Sequence, residues 1–164
     1  MTKLLIFLAL ILTRGYSIGQ SFQVKDLSNS VGRWEGKLTY LDYSSGKPYT
    51  MLANINIDLT SDKKGYVMGY EYPKEPQENS KDTIFIIDNL FDKEKIVEFK
   101  KDSGGGFSLV TEIVGEDGNE NKKAILRHTY QLISNTYSIK KEVKFEGSDI
   151  WIKRNEYLLN KAGK

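Results

Sequence analysis

From Gly32 onward the chain alternates apolar and polar residues with a period of two, and turn-forming clusters break that alternation at short intervals. Nine runs result, 32–41, 50–59, 65–72, 83–88, 94–101, 106–114, 122–133, 135–146 and 149–158, all rich in Tyr, Ile, Val, Phe or Thr. The breaks, among them DYSSGKP, TSDKK, DSGG and GEDGNEN, carry residues that accept a left-handed backbone or bond their own main chain. None is long enough for a helical crossover, so successive strands must run antiparallel. An antiparallel meander of this size has two edges to protect, and closing on itself removes both. A Greek-key sandwich would need several long connections between sheets, and only 73–82 is long. The expected fold is all-β, an antiparallel up-and-down meander closing as a barrel of about 8–10 strands.

The residues before the first run have a different character. A lysine at position 3, an unbroken apolar run from Leu4 to Leu12 and the small residues Ser17 and Gly19 are laid out as a secretory signal peptide, with cleavage expected after Gly19. The run is about half the roughly 20 residues that a membrane-spanning helix requires, so no stable span is expected once the leader is removed. One domain is expected over 20–164, in a secreted or periplasmic setting. The whole chain has 24 Lys and Arg against 22 Asp and Glu, and the leader holds Lys3 and Arg14 but no acid, so the mature chain carries no net formal charge. That balance excludes the basic excess of a nucleic-acid binder. There is no cysteine, hence neither disulfides nor thiolate metal sites, and stability rests on the core.

Alternation also assigns faces. In VGRWEGKLTY the residues Gly32, Trp34, Gly36, Leu38 and Tyr40 share a side, which places Trp34 inside. In DIWIKRNEYLL the inward set is Ile150, Ile152, Arg154 and Leu158, with Trp151, Lys153, Asn155 and Tyr157 opposite. An arginine in register with isoleucines directs a charge at the core. If the first and last strands meet, its guanidinium can lie on the indole of Trp34. Gly32-x-Trp34 behind a short turn containing Leu27, with a lone inward arginine on the last strand, resembles the lipocalins and the wider calycin superfamily. The layout of the chain looks most like secreted bacterial lipocalin-like proteins. The resemblance implies a barrel plugged at one end by Gly32, Trp34 and Arg154 and open at the other to small, usually apolar ligands.

On that basis the expected activity is non-enzymatic binding of a small, largely hydrophobic ligand inside the barrel. Pocket candidates follow from the inward faces: Tyr66, Met68 and Tyr70 in YVMGYEY, Leu109, the set Leu126, His128 and Tyr130 in AILRHTYQLI, and Ile139 and Lys141. The single histidine, His128, beside Tyr130 is either a core residue bonded to a neighbour or a group able to hold haem iron or move a proton. Lys141 either joins Arg154 in holding an acidic head group or extends to water. Two other readings remain open: a filled barrel serving as an envelope or protein-interaction module, and an isomerase or hydrolase built on His128 and Tyr130. No G-x-S-x-G, H-E-x-x-H or cysteine nucleophile is present, so no catalytic residue, cofactor or metal is assigned. The oxygen donors Glu116, Asp117, Asn119 and Glu120 in GEDGNEN lack the order of a calcium loop and read as a solvated hairpin.

Overall fold

The alternating runs become ten antiparallel strands in the computed structural model, which describes residues 22–163. The expected leader and its cleavage point lie outside these residues. The strands are β1 (Gly32–Leu41), β2 (Pro48–Leu59), β3 (Gly65–Glu71), β4 (Ser80–Ile87), β5 (Leu90–Phe91), β6 (Glu94–Lys101), β7 (Phe107–Asp117), β8 (Lys122–Ile133), β9 (Thr136–Phe145) and β10 (Ile152–Lys161). Each pairs with its neighbours in sequence, and β10 returns to β1, so the sheet is a closed up-and-down barrel of the expected class. Among the described residues no helix is long and apolar enough to cross a membrane.

The seam runs from Trp34 opposite Lys161 to Tyr40 opposite Asn155. Gly36 lies within it. A Cβ there would stand 2.2 Å from the Leu158 carbonyl oxygen, so a side chain at this position would push the closing strands apart.

Two features depart from the alternation. Asn89 and Asp92 adopt positive φ around a two-residue strand, so the break NLFDK contains β5 and raises the count to ten. The last strand starts at Ile152 rather than 149, because Gly147 turns left-handed and Ser148 bonds back to Phe145. A bulge between Lys153 and Asn155 then adds a residue and exchanges the faces. Ile150 and Leu158, expected inside, are 70% and 57% exposed, while Leu159 is fully buried and Tyr157 packs against the core.

The end of the barrel where β1 begins is its base. A 3-10 helix, Val24–Ser30, lies across it. The indole Nε1 of Trp34 donates to the Ser30 carbonyl at 2.6 Å, the Tyr66 hydroxyl donates to the Val24 carbonyl at 2.6 Å, and Lys101 pairs with buried Asp26 at 2.9 Å. Phe22 enters edge-on against Phe99 with ring centroids 4.9 Å apart. Behind this plug Ile55, Ile57, Met68, Leu109, Tyr137 and Leu159 fill the lower half of the barrel.

The opposite end is incomplete on one side. Strand β5 pairs with β4 only at Ile86 and Ile87, and β6 leaves β7 at Lys95 opposite Glu112. Beyond the turn at Asp92, residues 80–84 of β4 and 113–117 of β7 have no strand between them. The wall of the upper half therefore has a gap.

Candidate functional site

Behind that gap lies a cavity of about 450 Å³. Its apolar floor comes from Ile84, Phe91 and Ile139, each on the inward register of its strand. Tyrosines make its walls. The Tyr70 and Tyr157 rings lie 5.7 Å apart, and the hydroxyls of Tyr72 and Tyr157 share a hydrogen bond of 2.6 Å. Tyr130 packs against Phe91 at 4.8 Å. Burial pushes the phenols of Tyr70, Tyr130 and Tyr157 upward, so all three stay protonated; the Tyr70 hydroxyl donates to the Met68 sulfur at 4.0 Å and that of Tyr157 is engaged with Tyr72, which leaves the Tyr130 hydroxyl to meet a ligand.

One polar relay reaches the cavity. Glu94, the first residue of β6, accepts a hydrogen bond from the fully buried Thr111 hydroxyl and lies 2.9 Å from His128 Nδ1. Burial acts to raise the Glu94 carboxyl, but the bonds from His128 and Thr111 and the cation of Lys141 outweigh it, leaving the group below its ordinary value. Glu94 is therefore ionised and fixes the imidazole orientation, leaving Nε2 without a protein partner among the described residues.

A second polar cluster sits near the mouth. Asp117 accepts from Lys141 Nζ at 2.8 Å and from the Tyr43 hydroxyl at 2.7 Å. Arg154 Nε stands 2.8 Å from the same carboxylate but is not aimed at it, so this contact is a charge pair without a hydrogen bond. The guanidinium lies over Tyr43 and Phe145, 4.7 and 5.5 Å from their ring centres.

This placement corrects the expected role of Arg154. It lies at the end away from Trp34, and the cation over the indole is Lys161, with Nζ 4.3 Å from the ring centre and donating to the Val31 carbonyl. Lys161 pairs directly opposite Trp34 across the seam, whereas Arg154 is seven residues nearer the mouth. Gly32 is needed at the base for two reasons: its φ is +116°, and a Cβ would meet Lys161 Nζ at 3.1 Å. Gly32 and Trp34 thus sit in the closed end, with a lysine in place of the arginine.

Of the expected pocket residues, Tyr70, His128, Tyr130 and Ile139 line the cavity. Tyr66, Met68 and Leu109 belong to the filled core beneath it. Leu126 faces the backbone of Gly115, and Lys141 is turned to Asp117. Sequence reasoning missed Asp82, Phe91, Glu94 and Tyr157. Tyr157 was hidden by the bulge, and Phe91 by the turn signals around β5. Glu94 opens a run in which Ile96 marks the inward side, so its parity alone could have found it. Asp117, read as part of a solvated hairpin, is buried as the last residue of β7.

No protein-family model matches this chain, and no curated protein matches it. The closed antiparallel barrel is consistent with a lipocalin-like fold on architecture alone.

Proposed function

We propose that this protein is a secreted or periplasmic lipocalin-like carrier, holding a small molecule with a largely apolar body inside the barrel. The observation that carries this reading is the cavity of about 450 Å³, sealed at the base by the 3-10 helix and reached through the gap beside β5. That volume lies in the range of small-molecule sites, and the lining combines rings with a few polar groups. It also weighs against a barrel filled throughout. The leader layout supports export, and N-terminal sequencing of the exported form should begin at Gln20; retention of Met1 would refute cleavage.

The binding test is native mass spectrometry of the protein purified from its own source, alongside the Ser80→Trp variant. Ser80 lines the mouth and is exposed, so an indole there obstructs the cavity without entering the core. The wild type is expected to carry a small-molecule mass that the variant lacks. Equal loading of both proteins would place binding elsewhere and overturn the reading.

A second reading, acid–base catalysis by His128 with Tyr130, draws on the Glu94–His128 pair at the cavity. Conversion of a bound compound that ceases in His128→Gln would favour it over simple carriage.

A further inference from the structure

The carrier reading leaves open what the cavity selects, and the charges around it have one sign. Asp82 from β4, Asp92 from the β5–β6 turn and Glu94 from β6 all line it, and no lysine or arginine does. His128 is the one basic side chain in the lining, and its Nδ1 is committed to Glu94. The nearest interior cations, Lys141 and Arg154, are both paired with Asp117. Asp82 and Asp92 have no ion-pair partner among the described residues, and Lys81, next in sequence, lies against Gly69 on the outer face. The phenols register the same field. Beyond the effect of burial, Glu94 and Asp82 push Tyr130 upward, and Asp82 and Glu94 do the same to Tyr70.

Acidic side chains alone would not define a site. Here they share the lining of one cavity with the rings of Tyr70, Phe91, Tyr130 and Tyr157. Aromatic faces are the negative pole of the ring quadrupole and attract cations, most strongly where water is excluded. Tyr130 adds a separate observation. It is only 8% exposed and lines the cavity, and its hydroxyl, which makes no side-chain hydrogen bond among the described residues and is not sealed from solvent, opens onto the cavity where an occupant can reach it. A neutral apolar occupant would strip the remaining water from the largely buried Glu94 without replacing it, and an anion would be repelled by all three carboxylates. An ammonium group on a flat apolar body satisfies every part of the lining. Its charge meets the carboxylates and its body stacks on the rings, and in a protonated amine the N–H groups can also donate to Glu94 or to the Tyr130 oxygen.

We propose that the cavity selects small organic cations, protonated amines or quaternary ammonium compounds carrying a flat apolar body, seated among Tyr70, Phe91, Tyr130 and Tyr157 with Asp82, Asp92 and Glu94 as counter-charges. This rests on the cavity being a binding site, as proposed above. The test is isothermal titration of the ligand-free protein with four probes of similar shape: phenethylamine, phenyltrimethylammonium, 2-phenylethanol and 3-phenylpropionate. The two cations should bind at least about tenfold more tightly than the alcohol, with the acid weakest. The double variant Asp82→Asn/Asp92→Asn changes exposed residues and keeps their shape, so it should fold. It should weaken the cations several-fold and leave the alcohol unchanged.

Binding of the alcohol or the acid as tightly as the cations would overturn the charge selectivity and leave the carrier standing. If none of the four binds while the uncharged dye Nile red does, and Ser80→Trp abolishes the dye signal, the cation inference falls alone. If Nile red does not bind either, the carrier reading falls with it.

Discussion

Raising the pH above 10 should unfold this barrel, and its tyrosines are the reason. Tyr70, Tyr130, Tyr137 and Tyr157 are all held protonated by burial, well above the ordinary phenol value of 10.0. In the unfolded chain each ionises near that ordinary value. Above pH 10 the unfolded state has therefore released protons that the folded state retains, and stability falls as pH rises. At pH 11 the loss is about 1.4 kcal/mol for each phenol, or about 5–6 kcal/mol for the four. That equals the whole stability of many domains, about 5–15 kcal/mol. Lys161 opposes the trend, since burial lowers its ammonium and the folded form sheds that proton first; its partial exposure keeps the opposition weak. Urea midpoints followed by tryptophan fluorescence should be flat up to about pH 9.5 and then fall steeply, with much of the tyrosinate absorbance appearing only on unfolding. If all nine tyrosines of residues 20–164 titrate together near pH 10 while the fold persists, the four phenols are not sequestered and the description of the interior is wrong.

Three other substitutions probe the base, the seam and the mouth. Lys161→Met keeps the apolar stem but removes the charge over Trp34 and the bond to Val31, and should cost about 1–2 kcal/mol in urea denaturation; a shift no larger than that of the exposed control Lys153→Met would refute the cap. Gly36→Ala forces a Cβ onto the Leu158 carbonyl and should cost about 2 kcal/mol or more, read as a lower Tm; an unchanged Tm would mean that β1 and β10 are not so close. Asp117→Asn leaves Lys141 and Arg154 without their carboxylate and should cost about 3 kcal/mol. Burial acts to raise the Asp117 carboxyl, yet Lys141, Tyr43 and Arg154 hold it below 3.8. Its contribution is thus complete above the ordinary carboxyl value and lost as pH falls through the lower folded one, so the variant should show a shallower acid limb. An acid limb identical to that of the wild type would refute the assignment.

The meander was legible because alternation repeats over many residues and no break could hold a crossover. Faces were legible wherever the ladder is regular. Trp34, Tyr66, Met68, Leu109 and Tyr130 point inward as parity requires. Parity failed at β10, where one extra residue near Arg154 reversed every later side chain, moving Leu158 out and Tyr157 in. Nothing in KRNEY announces a bulge, since no glycine marks it. The pairing of Trp34 with Lys161 is hidden for a related reason: the last alternating run ends at 158, so Lys161 falls outside it. The site was legible as a set of inward residues but not as a height along the barrel. Which of them line a void depends on where the short strand β5 leaves the wall open, and two residues carry no periodicity to read.

The seam between β1 and β10 also sets the order of folding. Hairpins from β1 to β9 can form locally, but the ring closes only when residues near 161 reach residues near 34, the longest loop closure in the domain. Until then the first strand keeps a bare edge able to recruit another chain. Assembly is therefore expected to end in a slow, all-or-none step, and chains interrupted before Ile152 should aggregate rather than form a smaller barrel.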